Sequence, residues 1–231
     1  MDIRTPETTS GAVVDPREVK ETLRRSILDA RASTPPGRRR TLDTRLVEGV
    51  LQLIRSGDPS TVAAYSPMPG EPGGGLLVEA LLSVLPGIWL PVSGPAGRLS
   101  WAFCESTGDL HRGRFGITEP AGPRMETLPG DVELLLCPAL ACSVEGVRLG
   151  RGAGYFDRAL AGVDRNRCRI IALTYESELL DGLPAEAHDE PVDGVLTPDA
   201  FHTCAAPTEG RGTPDGSGAS HRHEKSPRNE A

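Results

Sequence analysis

The spacing of apolar residues predicts two helices near the start of the chain. The first is indicated over 16–32 by apolar side chains that recur every three or four positions: Val19, Leu23, Ile27 and Ala30. It ends at "STPP", because the residue before a proline avoids the helical region. The second is indicated over roughly 37–56, before "SGDPS", by a similar stripe: Leu42, Leu46, Val50, Leu53 and Ile54.

From residue 61 the period changes, and short apolar runs alternate with helical ones. The runs "TVAAY", "GIWLPV", "RLSWAF", "VELLLCPAL" and "CRIIALTY" are rich in strand formers and bounded by turn residues. Helices are predicted at "LLVEALLSVL", over 154–162 and at "SELLDGLP", and a last short strand follows "HDEPVD". Strands that alternate with helices predict an α/β fold of three layers, with a mostly parallel central sheet and helices on both faces.

Both ends of the chain differ in composition from the part between them. Residues 1–15 and 204–231 combine glycine, serine, proline and charged residues with few apolar ones, a mixture that cannot offset the entropy of ordering. We therefore expect both ends to be disordered. Of the 231 residues, 38% are apolar and 25% are charged, which is ordinary for one soluble domain. The predicted organisation is a single α/β domain over 16–203.

Composition also limits the class of function and the compartment. A net charge of −7 argues against a nucleic-acid partner, so any basic site is local. No signal peptide and no apolar run of about 20 residues is visible, which predicts a cytoplasmic protein without a membrane partner. The odd number of cysteines and the absence of a CxxC pair indicate reduced structural thiols: Cys104, Cys137, Cys142, Cys168 and Cys204. A monomer is the default expectation.

The stretch "GVRLGRGAGYFDRAL" lies between a predicted strand and a predicted helix. Ligands of open α/β sheets bind outside the carboxyl ends of strands, where such loops occur. Alternate glycines leave backbone N–H groups accessible, a following helix adds its positive end, and Arg148 and Arg151 add charge. The loop therefore suits a polyphosphate, with a plain turn as the alternative. It matches neither GxxxxGK[ST] nor GxGxxG.

Acidic residues near this loop suggest a metal. Asp157 lies in the first turn of the predicted helix, where it either binds Mg²⁺ or complements the helix dipole. Magnesium bound with nucleotide phosphates usually takes one or two carboxylates, and Asp189 or Asp193 is a candidate for the second.

Two further features are candidates for ligand contacts. Lys20 and Arg24 share one face of the first helix with Arg31 nearby, which indicates either a cationic wall over the phosphates or a solvated face. Glu71, in "SPMPGEPGGG", follows a strand and could accept hydrogen bonds from an NH-rich ring. No Ser/His/Asp or Cys/His arrangement is recognisable, so covalent catalysis by the protein is not expected.

The segment "CPALACSVEGVRLGRGAGYFDRAL" resembles the hallmark of the 5-formyltetrahydrofolate cyclo-ligase family, also called methenyltetrahydrofolate synthetases. Four other stretches match in the family's order, namely "KETLR", "AAYSPMPGEP", "GRFGITEP" and "LPAEAHDEPVDGVLTP", so the similarity covers about residues 17–200. The resemblance implies an enzyme that uses ATP and Mg²⁺ to close 5-formyltetrahydrofolate to 5,10-methenyltetrahydrofolate. It also implies that the formyl oxygen is phosphorylated and that ADP and phosphate are released.

By the same resemblance, residues of this chain match the family's site. Catalytic roles fall on Lys20, Arg148 and Tyr155. The nucleotide contacts match Lys20, Arg24, Arg148, Leu149, Gly150, Arg151, Gly152, Ala153, Gly154, Tyr155 and Phe156. The folate contacts match Met68, Glu71 and Tyr155, and the Mg²⁺-associated carboxylates match Asp157 and Asp189. Two positions depart from the pattern: Ala153 stands where many relatives have Lys or Gly, and Phe156 stands for a second tyrosine.

Two alternatives to the cyclo-ligase stay open at the level of sequence. One is a related ATP-dependent enzyme that acts on another formyl or carboxamide substrate. The other is a non-catalytic relative that binds a nucleotide or a folate. The expected partners are the small molecules reduced folate and ATP.

Overall fold

A computed structural model describes residues 15–186 and 189–204. These residues form four α-helices: α1 (Pro16–Ser33), α2 (Pro36–Gly57), α3 (Leu77–Leu82) and α4 (Tyr155–Leu160). The strands are β1 (Val62–Ala63), β2 (Ile88–Ser93), β3 (Leu99–Cys104), β4 (Leu110–Arg112), β5 (Thr118–Pro120), β6 (Arg124–Met125), β7 (Leu134–Pro138), β8 (Ala141–Ser143), β9 (Arg148–Leu149), β10 (Arg169–Leu173), β11 (Leu179–Leu180), β12 (Gly194–Leu196) and β13 (Phe201–Thr203).

The main sheet has eight strands in the order β13-β12-β10-β7-β1-β2-β3-β6. The five central strands, from β12 to β2, are parallel to one another. The outer strands each pair antiparallel with the neighbour on their inner side: β13 with β12, β3 with β2 and β6 with β3. Two small sheets, β11-β8-β9 and β4-β5, accompany it. The predicted α/β fold with a mostly parallel sheet is confirmed, while the small sheets were not predicted.

Both faces of the main sheet are covered by helices. Leu134 and Leu136 of β7 belong to a core cluster with α2 and α3, whereas Leu135 and Cys137 belong to a cluster with Leu160 of α4. Successive side chains of a strand point to opposite faces, so a central strand that is buried on both sides reads as a continuous apolar run. This explains why "LLLC" carries no alternation of apolar and polar residues.

Helix α1 packs on the small sheet instead of the large one. Its Leu23 and Ile27 form a third core cluster with Leu140, Leu149 and Leu180. Because Leu149 ends β9, this packing brings the polar side of α1 next to the glycine loop. The helix begins at Asp15, whose carboxylate accepts the N–H of Arg17 at 2.9 Å.

The prediction of a helix at "SELLDGLP" is wrong. Residues Glu176–Glu178 form one turn of 3₁₀ helix, and β11 follows directly. Strand β11 pairs in parallel with β8, with Leu179 opposite Cys142. The carboxylate of Glu178 accepts the N–H of Tyr175 at 2.9 Å, which closes the turn. A strand partner more than thirty positions away therefore overrides the local helical pattern.

Disorder was predicted for residues 1–15 and 204–231, of which 1–14 and 205–231 lie outside the described part of the chain. Cys204, at the inner limit of the second segment, is buried. None of the helices formed by residues 15–186 and 189–204 is both long and apolar enough to cross a bilayer.

All five cysteines are free and buried, and we expect them to be unreactive in the native protein. Burial raises the pKa of Cys137 to about 11 and that of Cys168 to about 12. Because the thiolate is the reactive form, Ellman's reagent at pH 8 should modify the native protein at least about a hundredfold more slowly than the unfolded protein. Rapid modification of any thiol before unfolding would contradict this expectation.

Candidate active site

The glycine loop connects β9 with α4 and is shaped by two residues with positive φ. Gly152 has a φ of 97° and Gly154 a φ of 68°, a region in which residues with a Cβ are strained. Gly154 is also the N-cap of α4, so the helix starts directly from the loop. Two of the three alternate glycines are therefore needed by the backbone itself.

One side of this loop lines a cavity of about 250 Å³. Ten of the predicted site residues line it: Met68, Glu71, Arg148, Gly150, Arg151, Ala153, Gly154, Tyr155, Phe156 and Asp157. Leu149, predicted to contact the nucleotide, belongs instead to the core cluster under α1. The rest of the wall is largely apolar: Tyr65, Ser66, Pro91, Ser93, Leu99, Ile117, Pro138, Ala139 and Leu140. Sequence reasoning did not assign residues to this wall, although "GRFGITEP" contains Ile117.

Arg148 and Asp157 form an ion pair at the inner end of the cavity. The side chain of Arg148 is 2% exposed, whereas that of Asp157 is 20% exposed. The Nε atom of Arg148 is buried and has no hydrogen-bond partner. A buried donor without a partner is rare and costly, and at a cavity wall it suits an anionic ligand.

Lys20 and Arg24 lie on the other side of the loop. With Gly152 and Glu186 they line an open groove. The Nε atom of Arg24 donates to the carbonyl of Gly150 at 3.0 Å, which ties the loop to α1. The glycine loop therefore separates the cavity from a groove lined by both cations and carboxylates, and the two halves of the predicted nucleotide contacts lie on opposite sides of it.

Lys20 is held by two carboxylates. Its Nζ atom donates to Asp189 Oδ2 at 2.6 Å and to Glu186 Oε2 at 2.9 Å. Burial acts to lower the pKa of Lys20, but the hydrogen bonds to Asp189 and Glu186 outweigh it, and the pKa lies above its ordinary value. Lys20 is therefore charged, and Glu186 is a neighbour that sequence reasoning did not single out.

The two predicted metal ligands have different contacts. Asp157 pairs with Arg148 at the cavity, and Asp189 pairs with Lys20 at the groove. Among the described residues, no group of three or more His, Cys, Asp or Glu side chains is arranged to hold a metal ion. Magnesium that arrives with a nucleotide needs only one or two protein carboxylates, so the partly exposed Asp157 fits that role.

Two candidates from the sequence have structural contacts instead. Arg31 does not join Lys20 and Arg24 at the groove, because it is buried and its Nε atom donates to Glu178 at 2.7 Å. Asp193 accepts the N–H of Ile170 at 2.6 Å and so connects β12 with β10.

Glu71 faces the glycine loop across the cavity. It is buried, and its Oε2 atom accepts the N–H of Met68 at 2.9 Å. Its Oε1 atom lies 3.6 Å from Nη1 of Arg151. The same Nη1 atom lies 3.6 Å from the sulfur of Met68. Arg151 therefore connects the glycine loop with the loop that carries Glu71.

The two departures from the family pattern have packing roles. Phe156 lines the cavity and packs against both core clusters of the main sheet, so its ring is used even though it has no hydroxyl. The carbonyl of Ala153 accepts a hydrogen bond from Nη2 of Arg158 at 2.6 Å.

Comparison with known proteins gives relatives of one kind. The sequence profile of the 5-formyltetrahydrofolate cyclo-ligase family matches residues 16–198. The 5-formyltetrahydrofolate cyclo-ligase of Mycolicibacterium smegmatis is 37% identical over 186 residues, which cover 78% of this chain and 93% of that protein. The protein of the same description from Escherichia coli K12 is 30% identical over 141 residues, covering 60% and 78%.

A solved structure with the same arrangement is the 5,10-methenyltetrahydrofolate synthetase of Aquifex aeolicus. It superimposes with a TM-score of 0.69 at 29% identity, covering 89% of this chain and 98% of that one.

Proposed function

The chain belongs to the 5-formyltetrahydrofolate cyclo-ligase family, and we propose that it closes 5-formyltetrahydrofolate to 5,10-methenyltetrahydrofolate at the expense of MgATP. In this reaction the formyl oxygen attacks the γ-phosphorus of ATP, and ADP leaves. The neighbouring amine nitrogen then bonds to the activated formyl carbon and loses its proton, and the C–O bond breaks as inorganic phosphate departs with that proton. We further propose that the enzyme acts in the cytoplasm on small-molecule substrates.

The observation that carries the proposal is the meeting of two loops at one cavity. Glu71 is presented from one loop, and Arg148, Tyr155 and Asp157 from the strand and helix that flank the glycine loop, all on the wall of the same 250 Å³ space. Transfer of a phosphoryl group requires positioning and charge stabilisation and no protein nucleophile. A cavity lined by the backbone of the glycine loop, the two arginines Arg148 and Arg151 and the carboxylates of Glu71 and Asp157 suits these requirements.

Each residue has a role that follows from its contacts. Arg148 offers its unpartnered Nε–H to a phosphate oxygen, and Arg24 and Lys20 provide positive charge behind the loop. We propose that Asp157 holds Mg²⁺ at the cavity. Asp189, the second predicted carboxylate, pairs with Lys20 on the groove side of the loop, so a shared ion would need Asp189 to exchange this partner. Bound Mg²⁺ would neutralise charge on the transferred phosphoryl group.

At the folate end, the buried carboxylate of Glu71 accepts hydrogen bonds from the NH groups of the ring. Met68 supports it, and Tyr155, the first residue of α4, lines the same cavity and is proposed to contact both substrates. The apolar wall, which includes Leu99 and Ile117, packs against the flat ring and excludes water.

Release of ADP tests the proposal against its alternatives. Purified protein with MgATP should form ADP only when 5-formyltetrahydrofolate is added, with one ADP for each methenyl product. Another formamide that replaces the folate equally well would favour a related enzyme with a different substrate. No ADP in the presence of both ligands would contradict catalysis.

Glu71→Gln tests the folate end of the cavity. We expect the KM for 5-formyltetrahydrofolate to rise roughly tenfold to a hundredfold, because a hydrogen bond to a charged group contributes about 1.5–3 kcal/mol. The KM for ATP should change much less, because Glu71 contacts the glycine loop only through Arg151, whose Nη1 atom lies 3.6 Å from Glu71 Oε1.

The matched control for this variant is Glu133→Gln. Glu133 also accepts a backbone N–H, from Ser60 at 2.7 Å, but it does not line the cavity. It should leave both KM values unchanged. If Glu71→Gln raised only the KM for ATP, Glu71 would act at the nucleotide end of the site, which would contradict its proposed role.

A further inference from the structure

The loop that carries Glu71 is held by few contacts of its own. The N–H of Glu71 donates to the carbonyl of Met68 at 2.9 Å, and the N–H of Gly74 donates to the carbonyl of Glu71 at 3.2 Å. Gly70 and Gly73 both have positive φ, at 85° and 86°. Glycines permit this path but also give the loop many other conformations, so something else selects the observed one.

Two buried side chains from outside the loop hold the residues that directly follow Glu71. The hydroxyl of Tyr65 donates to the carbonyl of Pro72 at 2.6 Å. The Oδ1 atom of Asp43, on α2, accepts the N–H of Gly73 at 3.0 Å. A Cβ atom on Gly74 would lie 2.7 Å from Asp43 Oδ2, so the loop backbone packs directly against this carboxylate.

Asp43 is itself fixed by a buried partner. The hydroxyl of Tyr175 donates to Asp43 Oδ1 at 2.8 Å, and the ring of Tyr175 lies beneath the guanidinium of Arg31, 5.5 Å from Cζ to the ring centre. Arg31 also donates to the carbonyl of Ala139, which lines the cavity, at 2.7 Å. A continuous buried network thus runs from α1 through Tyr175 and Asp43 to the loop of Glu71.

We propose that Asp43 and Tyr175 are positioning residues for the folate: through Gly73 they fix the loop so that the Glu71 carboxylate points into the cavity. The assignment of Glu71 to the folate rests on the proposed function, whereas the fixing of the loop does not. Neither side chain lines the cavity, so both act through the loop and neither touches the substrate.

The substitutions Asp43→Ala, Asp43→Asn and Tyr175→Phe separate positioning from general stability. Alanine removes the acceptor of the Gly73 N–H, whereas asparagine keeps an oxygen that can accept it. Tyr175→Phe keeps the ring and removes one hydrogen bond. The control is Thr197→Val, which removes a buried hydroxyl that donates to Glu176 Oε2 at 2.5 Å, away from the loop.

Steady-state kinetics provide the first measurement. We expect Asp43→Ala to raise the KM for 5-formyltetrahydrofolate about tenfold, because it removes the acceptor of two buried hydrogen bonds, from Gly73 and Tyr175. Tyr175→Phe removes one of these and should raise this KM about threefold, with the KM for ATP changed less than about twofold in both variants. Asp43→Asn should restore most of the folate KM. A fall in kcat alone, or equal rises in both KM values, would overturn the proposal, and Thr197→Val should change neither KM.

Hydrogen exchange provides the second measurement and does not depend on turnover. Exchange of the amides in the peptide that spans Met68–Gly74 should accelerate about tenfold in Asp43→Ala and much less in Asp43→Asn and Thr197→Val. Unchanged protection of this peptide in Asp43→Ala would overturn the fixing of the loop. If exchange accelerated in Asp43→Ala but the unmodified protein did not turn over 5-formyltetrahydrofolate, the fixing of the loop would stand and only the proposed function would be contradicted.

Discussion

Glu178→Ala is expected to lower the free energy of unfolding by about 3–5 kcal/mol, the cost of leaving a buried charge without its partner. The side chains of Arg31 and Glu178 are 5% and 3% exposed, with 2.7 Å between Arg31 Nε and Glu178 Oε1. The Glu178 carboxylate also accepts the hydroxyl of Thr174 and the N–H of Tyr175. Its removal therefore strands one cation and the N–H of Tyr175, whereas the hydroxyl of Thr174 can still donate to the carbonyl of Tyr175 at 2.9 Å.

Urea denaturation measures this loss, and two comparisons isolate its cause. Asp199→Ala breaks the exposed ion pair with Arg45 and should cost at most about 1 kcal/mol. The double variant Arg31→Met with Glu178→Leu removes both charges and should recover much of the stability lost in Glu178→Ala. A loss in Glu178→Ala no larger than that in Asp199→Ala would show that the buried pair is not a main support of the fold.

The second large effect is expected in Asp157→Asn, with kcat reduced by roughly 10²–10³, as is typical when a main electrostatic contact of the transition state is removed. Asp157 lines the cavity and keeps Arg148 in place. Asparagine still offers an oxygen to Arg148 but has no charge for Mg²⁺. The concentration of Mg²⁺ that gives half-maximal rate should therefore rise, which a purely structural role of Asp157 would not cause.

Asp193→Asn is the matched control. Asp193 also pairs with an arginine, Arg165 at 2.8 Å, but it does not line the cavity. It should lower the melting temperature while the Mg²⁺ dependence stays that of the unmodified protein. If Asp157→Asn lost activity and melting temperature in the same proportion and kept the Mg²⁺ dependence, Asp157 would be a helix-terminus and ion-pair residue only.

Much of the fold can be predicted because the elements are encoded locally. The apolar stripes predict α1 and α2 to within one residue at each end, and the central strands appear as apolar runs because both of their faces are buried. The failure at "SELLDGLP" has a non-local cause: Leu179 pairs with Cys142, and no local pattern announces that partner.

The candidate site is predictable only in part. The glycine loop is visible because backbone geometry and charge are concentrated in one short stretch. Arg31 shares the helical spacing of Lys20 and Arg24, but where α1 packs on the small sheet Arg31 is buried and donates to Glu178. The contact between Tyr175 and Asp43 joins residues 132 positions apart, so sequence spacing contains no signal for it. Sequence spacing also contains no signal that the glycine loop separates the cavity from the groove.

The most direct test of the central claim is the absorbance of the methenyl-folate band when purified protein is mixed with MgATP and 5-formyltetrahydrofolate. We predict a rise in this absorbance that requires both ATP and Mg²⁺. A flat trace from folded protein that binds ATP would contradict the proposed cyclisation.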